Sequence, residues 1–231
     1  GYLAYDATQT QARPAVLIVH EWWGHNEYAR SRARQLAEAG YVAFAVDMYG
    51  DGATADHPED AKKFAMAAGG NLPQSRARFE AAKDYVSNLT QVDATKIAAI
   101  GYCFGGGMVL QMARMGVDIT AVASFHGSYG TELSVAPGDI KASILVCHGA
   151  EDAFIPAEDI TALKSEMSAA KADFSFISYP EAKHSFTNPD ADIYGSRFEL
   201  PLAYSPDADK ASWQDLLTFL AARFEEGPVK N

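Results

Sequence analysis

Short apolar runs alternate with longer amphipathic segments along most of the chain. The alternation favours a single α/β domain over residues 1–231, with a mostly parallel central sheet and helices on both faces. Apolar runs that are typical of strands buried on both faces occur at residues 15–19, 41–46, 97–100, 119–125, 143–147 and 174–179, and an edge strand is expected at 2–6. Helical spacing predicts helices at residues 26–39, 58–68, 75–88, 108–115, 156–170 and 208–225.

One segment breaks this alternation. Residues 185–207 follow the last predicted strand and are rich in asparagine, proline, aspartate and glycine. Loops of this length are uncommon inside a compact domain and often carry function. We therefore expect a lid or a substrate wall there.

The segment of residues 97–115 predicts a strand, a sharp turn and a helix, with a cysteine at the tip of the turn. Its spacing, Gly101-x-Cys103-x-Gly105, is that of a nucleophile elbow with sulfur in place of a serine oxygen. The tight turn requires small residues at 101 and 105, and the N-terminus of the following helix favours a thiolate. The alternative is a glycine-rich turn that holds a buried, inert cysteine.

Two further polar residues follow predicted strands at the same edge of the sheet. Asp152 follows the strand at 143–147, and His184 follows the strand at 174–179. The order Cys103, Asp152, His184 is the nucleophile, acid, histidine order of an α/β-hydrolase triad. In that arrangement the histidine exchanges the thiol proton and the carboxylate orients the histidine. Read singly, Asp152 could be a turn carboxylate and His184 a surface-loop histidine.

Together with His20-Glu21-Trp22-Trp23-Gly24 and His184-Ser185-Phe186, the elbow resembles the dienelactone hydrolase family over nearly the whole chain. The resemblance implies the α/β-hydrolase fold and a carboxylate, Glu21, that takes the thiol proton when substrate arrives. The alternative for Glu21 is an ion pair with Arg30. The backbone N–H groups of Phe104 and Trp22 are the expected oxyanion donors, the second by the family pattern.

Substrate recognition is where the chain departs from the family pattern. Family members that hydrolyse dienelactone hold its carboxylate with arginines, but no arginine follows His184 in Ser185-Phe186-Thr187-Asn188. Arg76, Arg78 and Arg197 are the candidates to replace it, although the usual exposure of arginine favours a surface charge for each. Tyr49 and Tyr129 are candidate pocket residues, with Tyr49, Arg76 and Arg197 taken as candidate substrate-binding residues. We expect structural roles for His126 and His148.

Composition limits the partners. A net charge of −11 and a pI near 4.9 argue against nucleic acid and against an anionic membrane surface. No apolar run is long enough to span a membrane, no signal peptide is visible, and no Cys/His spacing indicates a metal. We expect no cofactor, a monomer or small homo-oligomer, and a cytoplasmic location. Since the chain begins with Gly1, a trimmed leader and a periplasmic or secreted location stay open.

The leading hypothesis is a hydrolase of small esters or lactones of the carboxymethylenebutenolidase type, acting through a Cys-His-Asp triad and a thioester acyl-enzyme. A broad-range small carboxylesterase of the same family is an alternative. Two other classes stay open: a non-catalytic α/β-hydrolase-fold binding protein, and a redox thiol protein that pairs Cys103 with Cys147.

Overall fold

A seven-stranded sheet forms the centre of the computed structural model, which describes residues 1–226. The strand order is β1-β3-β2-β4-β5-β6-β7; β1 is antiparallel to β3, and every other neighbouring pair is parallel. The strands are β1 (Tyr2–Ala4), β2 (Arg13–Val19), β3 (Val42–Val46), β4 (Val92–Tyr102), β5 (Ala121–Phe125), β6 (Ser143–Gly149) and β7 (Phe174–Tyr179).

Helices cover both faces of this sheet, as the sequence predicts. They are α1 (Glu27–Glu38), α2 (Pro58–Gly69), α3 (Leu72–Ser87), α4 (Phe104–Arg114), α5 (Ala157–Ala169), α6 (Ala191–Phe198) and α7 (Pro206–Glu226). One apolar core joins the sheet to α3, α4 and α5, and a second joins it to α1 and α7. Within residues 1–226, no helix combines the length and the apolar character that a bilayer crossing needs.

The two-residue period of the strands creates these two cores. In β2, Leu17 and Val19 pack in the first core, whereas Val16 and Ile18 pack in the second. Successive side chains of a strand point to opposite faces, so a strand covered on both sides must be apolar throughout. The mostly parallel α/β architecture is therefore confirmed.

Several element boundaries differ from the sequence-based ones. Helix α3 begins at Leu72 rather than at residue 75, because the Asn71 side chain accepts a hydrogen bond from Gln74 N and a proline occupies the first turn. Strand β4 begins at Val92 rather than at Ile97. Helix α4 begins at Phe104 rather than at Met108, since the glycines of its first turn pack closely against neighbouring backbone.

The segment of residues 185–207 is not a continuous loop, so that expectation was wrong in part. It contains α6, whose Tyr194 and Phe198 rings stack on Trp23. After α6 the chain returns to the loop that follows β7, where Ala203 N donates to His184 O. Aromatic packing on Trp23, rather than helical periodicity, stabilises this short helix.

Candidate active site

Parallel strands bring the four candidate catalytic residues to one edge of the sheet. Glu21 follows β2, Cys103 follows β4, Asp152 lies in the loop after β6, and His184 lies in the loop after β7. Because these strands are parallel, their carboxyl ends share an edge, where ligand sites of open α/β sheets lie. The fold brings together residues that are up to 163 positions apart, since Glu21 and His184 are neighbours in the site.

Cys103 stands on a sharp, strained turn between β4 and α4. Its φ is 53° and its ψ is −116°, a conformation that non-glycine residues rarely adopt. A Cβ at Gly101 would lie 2.0 Å from Gly105 O, and a Cβ at Gly105 would lie 2.2 Å from Val19 O. Gly101 therefore allows β4 to approach α4, Gly105 allows α4 to approach the end of β2, and the predicted elbow geometry is present.

The His184 side chain interacts with both Asp152 and Cys103. Its Nδ1 lies 2.8 Å from Asp152 Oδ2, and its ring is close enough to Cys103 for the two side chains to influence each other's charge. Burial lowers the pKa of His184, but the interactions of the ring with Cys103 and with Asp152, whose carboxylate accepts a hydrogen bond from Nδ1, outweigh burial and raise the pKa to about 10. These two partners therefore favour the protonated form of the ring.

Glu21 is buried beside these side chains. Its two carboxylate oxygens accept hydrogen bonds from Ser185 Oγ at 2.9 Å and from Asn188 Nδ2 at 2.6 Å. Burial raises the pKa of Glu21, and these two hydrogen bonds oppose that rise. Among residues 1–226, Glu21 forms no ion pair with Arg30: Glu21 is buried, whereas Arg30 is exposed.

Sequence reasoning did not assign Ser185 and Asn188 to the site. Ser185 directly follows His184, and Asn188 is four residues after it. Small polar donors this close to a candidate histidine are a signal for a neighbouring carboxylate that they could bind. Only the tertiary structure shows that this carboxylate is Glu21.

His126 supports the elbow from below. Its Nδ1 accepts a hydrogen bond from Cys103 N at 3.1 Å, and its Nε2 lies 2.8 Å from Thr187 Oγ1. Since Nδ1 must accept, Nε2 carries the hydrogen and donates to Thr187. Burial keeps the pKa of His126 well below its usual value, so the ring is neutral. The other expected structural histidine, His148, binds the Tyr129 hydroxyl at 3.0 Å.

A cavity of about 480 Å³ opens above Cys103 and His184. The residues that line it are mostly apolar, and they include Trp22 and Phe104, whose backbone N–H groups are the expected oxyanion donors. Helices α2 and α3 form one wall, and Phe154 and Ile155 from the loop after β6 form another. The volume lies in the range of sites for small organic molecules.

The expected substrate-binding residues lie outside the lining of this cavity. Arg76 binds Glu80 and Met115 O, and exposed Arg197 lies 5.0 Å from the ring of Phe198. The Tyr49 hydroxyl donates to Trp22 O at 3.0 Å, which steadies the segment that carries an expected oxyanion donor. Roles for these three in substrate binding stay predictions.

The second cysteine, Cys147, does not line the cavity. Cys147 is fully buried, and burial raises its pKa to about 12, so it remains a thiol. Both cysteines are free. Among residues 1–226, no three His, Cys, Asp or Glu side chains are grouped as metal ligands would be.

Comparison with known proteins places this arrangement in a family. Residues 1–224 match the model of the dienelactone hydrolase family. An uncharacterised protein of Caenorhabditis elegans is 38% identical over 153 residues, which is 64% of this chain and 94% of that protein. A Yersinia pestis protein with the provisional name carboxymethylenebutenolidase is 26% identical over 231 residues, 94% of this chain and 81% of its own.

Solved structures show the same relationship. A dienelactone hydrolase-like promiscuous phosphotriesterase from metagenomic libraries superposes with a TM-score of 0.87 at 35% identity. The match covers 95% of this chain and 90% of that one. The fold, the elbow and the family match agree, and the chain belongs to the dienelactone hydrolase family, which makes it an ester-directed hydrolase of the α/β-hydrolase fold.

Proposed function

We propose that this protein hydrolyses small esters or lactones through a Cys103–His184–Asp152 triad and a thioester acyl-enzyme. The observation that carries the proposal is the position of Cys103 on a strained elbow below an apolar cavity that His184 also lines, with His184 Nδ1 hydrogen-bonded to Asp152. The Yersinia pestis relative, with its carboxymethylenebutenolidase name, supports the same reaction class. A broad-range small carboxylesterase would use the same groups.

The first half-reaction makes the thioester. The Cys103 thiolate attacks the carbonyl carbon, and the carbonyl oxygen becomes an oxyanion that accepts hydrogen bonds from Phe104 N–H and Trp22 N–H. When the tetrahedral intermediate collapses, the C–O bond to the alcohol or ring oxygen breaks. The protonated His184 gives its proton to that oxygen, and Asp152 holds the ring in the required orientation.

The second half-reaction removes the acyl group. Neutral His184 takes a proton from water, and the resulting hydroxide attacks the thioester carbonyl. Collapse of this intermediate breaks the C–S bond, releases the carboxylic acid and returns Cys103 as a thiolate beside protonated His184. No cofactor enters either step.

Glu21 has a secondary role in this proposal. Burial raises the pKa of Glu21, which makes it a stronger base than an exposed carboxylate, and Glu21 lies close enough to His184 for their charges to interact. We propose that it takes the thiol proton whenever Cys103 is protonated, which regenerates the thiolate. Ser185 and Asn188 hold its oxygens during the rest of the cycle.

The test compares hydrolysis of p-nitrophenyl butyrate by the wild type, Cys103→Ala and Cys147→Ala. We expect Cys103→Ala to lose at least about 10³-fold in kcat, because it lacks the nucleophile. Cys147→Ala is the matched control, since it removes the other cysteine from the buried core without touching the elbow, and it should retain turnover.

Two outcomes would contradict the proposal. Turnover by Cys103→Ala at the wild-type rate would exclude Cys103 as the nucleophile. An inactive wild type would favour the binding-protein alternative. For the redox alternative, peroxide treatment followed by mass analysis should show no Cys103–Cys147 disulfide; a disulfide would favour the redox function instead.

A further inference from the structure

We infer that the cavity selects uncharged, apolar esters or lactones and discriminates against substrates that carry a carboxylate. This inference rests on the proposed ester hydrolysis and specifies its substrate class. It implies that dienelactone, whose carboxylate is anionic at neutral pH, is a poor substrate for this family member.

The cavity lining carries the argument. Its helical walls are built from Ala65 and Met66 of α2, Leu72 of α3 and Met108 of α4. Within residues 1–226, the lining includes no lysine, arginine, aspartate or glutamate. A carboxylate that enters such a cavity loses water and gains no ion-pair partner apart from His184, which is paired with Asp152 and Cys103, and this disfavours its binding.

The neutral polar side chains of the lining, Gln111 and Ser128, carry no charge that could replace a cation. Gln111 already donates through Nε2 to Gly130 O at 3.0 Å and accepts through Oε1 from Thr131 Oγ1 at 2.9 Å. Cys103 and His184 are the titratable groups of the lining, and they serve the reacting carbonyl. A second anionic group on the substrate would therefore have to lie against apolar side chains.

The nearby arginines are engaged elsewhere. Arg76 binds Glu80 Oε1 at 2.9 Å and Met115 O at 3.0 Å, and Arg78 Nη1 donates to Met48 O at 2.8 Å. Buried Arg32 binds Asp209 and Thr187 O. The net charge of −11 adds a repulsive field for anions.

The mouth of the cavity indicates what it accepts instead. Met66 and Phe154 are 65% and 45% exposed, and both line the cavity. Contact between water and large apolar side chains at an entrance is unfavourable unless a ligand covers them. An acyl chain that extends from Cys103 towards Met66 would cover this surface.

The experiment uses matched p-nitrophenyl esters that differ in one charge: p-nitrophenyl hydrogen adipate and its methyl ester. We expect kcat/KM to be at least about tenfold lower for the hydrogen adipate, since its carboxylate finds no partner. In the acetate, butyrate and hexanoate series, kcat/KM should rise by about fourfold per methylene until the cavity is filled.

Two variants locate the discrimination. Met66→Arg places a cation at the mouth. It should raise kcat/KM for the hydrogen adipate, relative to kcat/KM for its methyl ester, by about threefold to fivefold. Tyr85→Arg is the control, because it adds the same charge at an exposed position of α3 outside the cavity.

The outcomes separate this inference from the proposed function. Equal kcat/KM for the two adipate esters would overturn the substrate class and leave ester hydrolysis standing. Failure of the wild type to cleave any of these esters would overturn both. An equal shift in Met66→Arg and Tyr85→Arg would assign the discrimination to net charge and would overturn the role of the cavity.

Discussion

Single side chains in this site are held in one protonation or tautomeric state by their partners. His126 must accept at Nδ1, because its partner there is a backbone N–H, so it donates at Nε2 to Thr187. Its own φ of 38° is strained, which indicates that surrounding contacts hold the residue in place. His126 is therefore a positioning residue for the elbow, acting through Cys103 N.

Substitutions at His126 test this positioning role. Asparagine keeps an acceptor near the Nδ1 position and tolerates positive φ, whereas phenylalanine keeps only the ring shape. We expect His126→Phe to lower kcat by about tenfold or more with little change in KM, because the nucleophile is misplaced. His126→Asn should retain more kcat than His126→Phe. A loss of equal size in both variants, or a loss confined to KM, would contradict the positioning role.

At the level of elements, the contact between β4 and α4 decides whether the site exists. Gly101 of β4 lies against the backbone of Gly105 in α4, where a methyl group would overlap. Gly105 in turn lies against the backbone of Val19 and His20 at the end of β2. Backbone, unlike the end of a flexible side chain, cannot move away locally. Backbone packing thus requires glycine at these positions of the elbow, whatever the chemistry of Cys103.

Gly101→Ala tests this requirement. Because its Cβ would lie 2.0 Å from Gly105 O, β4 and α4 must separate, and we expect a loss of about 3 kcal/mol or more in the free energy of unfolding. Gly69→Ala is the control for stability, since its Cβ would meet no atom within 4 Å. Urea unfolding followed by tryptophan fluorescence measures both. A Gly101→Ala protein as stable as the wild type would contradict the close approach.

On the scale of the whole molecule, the fold buries several histidines in the neutral form. Burial lowers the pKa of His20 to about 4, and it also lowers the pKa values of His126 and His148. His20 is locked further, since its Nδ1 donates to Glu21 O and its Nε2 accepts from Met48 N. Protonation of His20 would break the second bond and bury a cation.

The sign of the resulting pH dependence follows from these pKa directions. Between pH 6.5 and about 4 these histidines bind more protons in the unfolded chain than in the folded protein, so their contribution to the free energy of unfolding falls as the pH falls. Glu21, whose pKa is raised, acts in the opposite sense above pH 4.5. His20 alone changes the free energy of unfolding by about 1.4 kcal/mol per pH unit within that window. His184 acts in the opposite sense. Its stabilising contribution to the free energy of unfolding is full below pH 6.5 and is lost as the pH rises towards about 10.

Urea unfolding at pH 7, 6 and 5 measures this dependence. We expect stability to fall across the series and to fall less steeply in His20→Gln, with the same substitution at exposed His57 as the control. A flat profile from pH 6.5 to pH 5 in the wild type would contradict the neutral burial of these histidines.

Local patterns were sufficient to predict most of the fold and the nucleophile elbow. Apolar runs predict buried strands because both faces of a parallel strand lose water, and the glycine spacing around Cys103 predicts a tight turn because backbone must approach backbone. The edge position of Asp152 and His184 followed from the same strand order. These inferences depend on properties that each short segment carries by itself.

Other features were decided only by the tertiary structure, because they depend on which distant side chains meet. The partners of Glu21 and the support of Cys103 by His126 join residues from different loops. Helix α6 forms against Trp23 rather than by its own periodicity. The uncharged cavity lining likewise arises where α2, α3, α4 and the loop after β6 converge. Sequence alone thus determined the reaction class that we propose, whereas packing determined the chemistry of the cavity that receives the substrate.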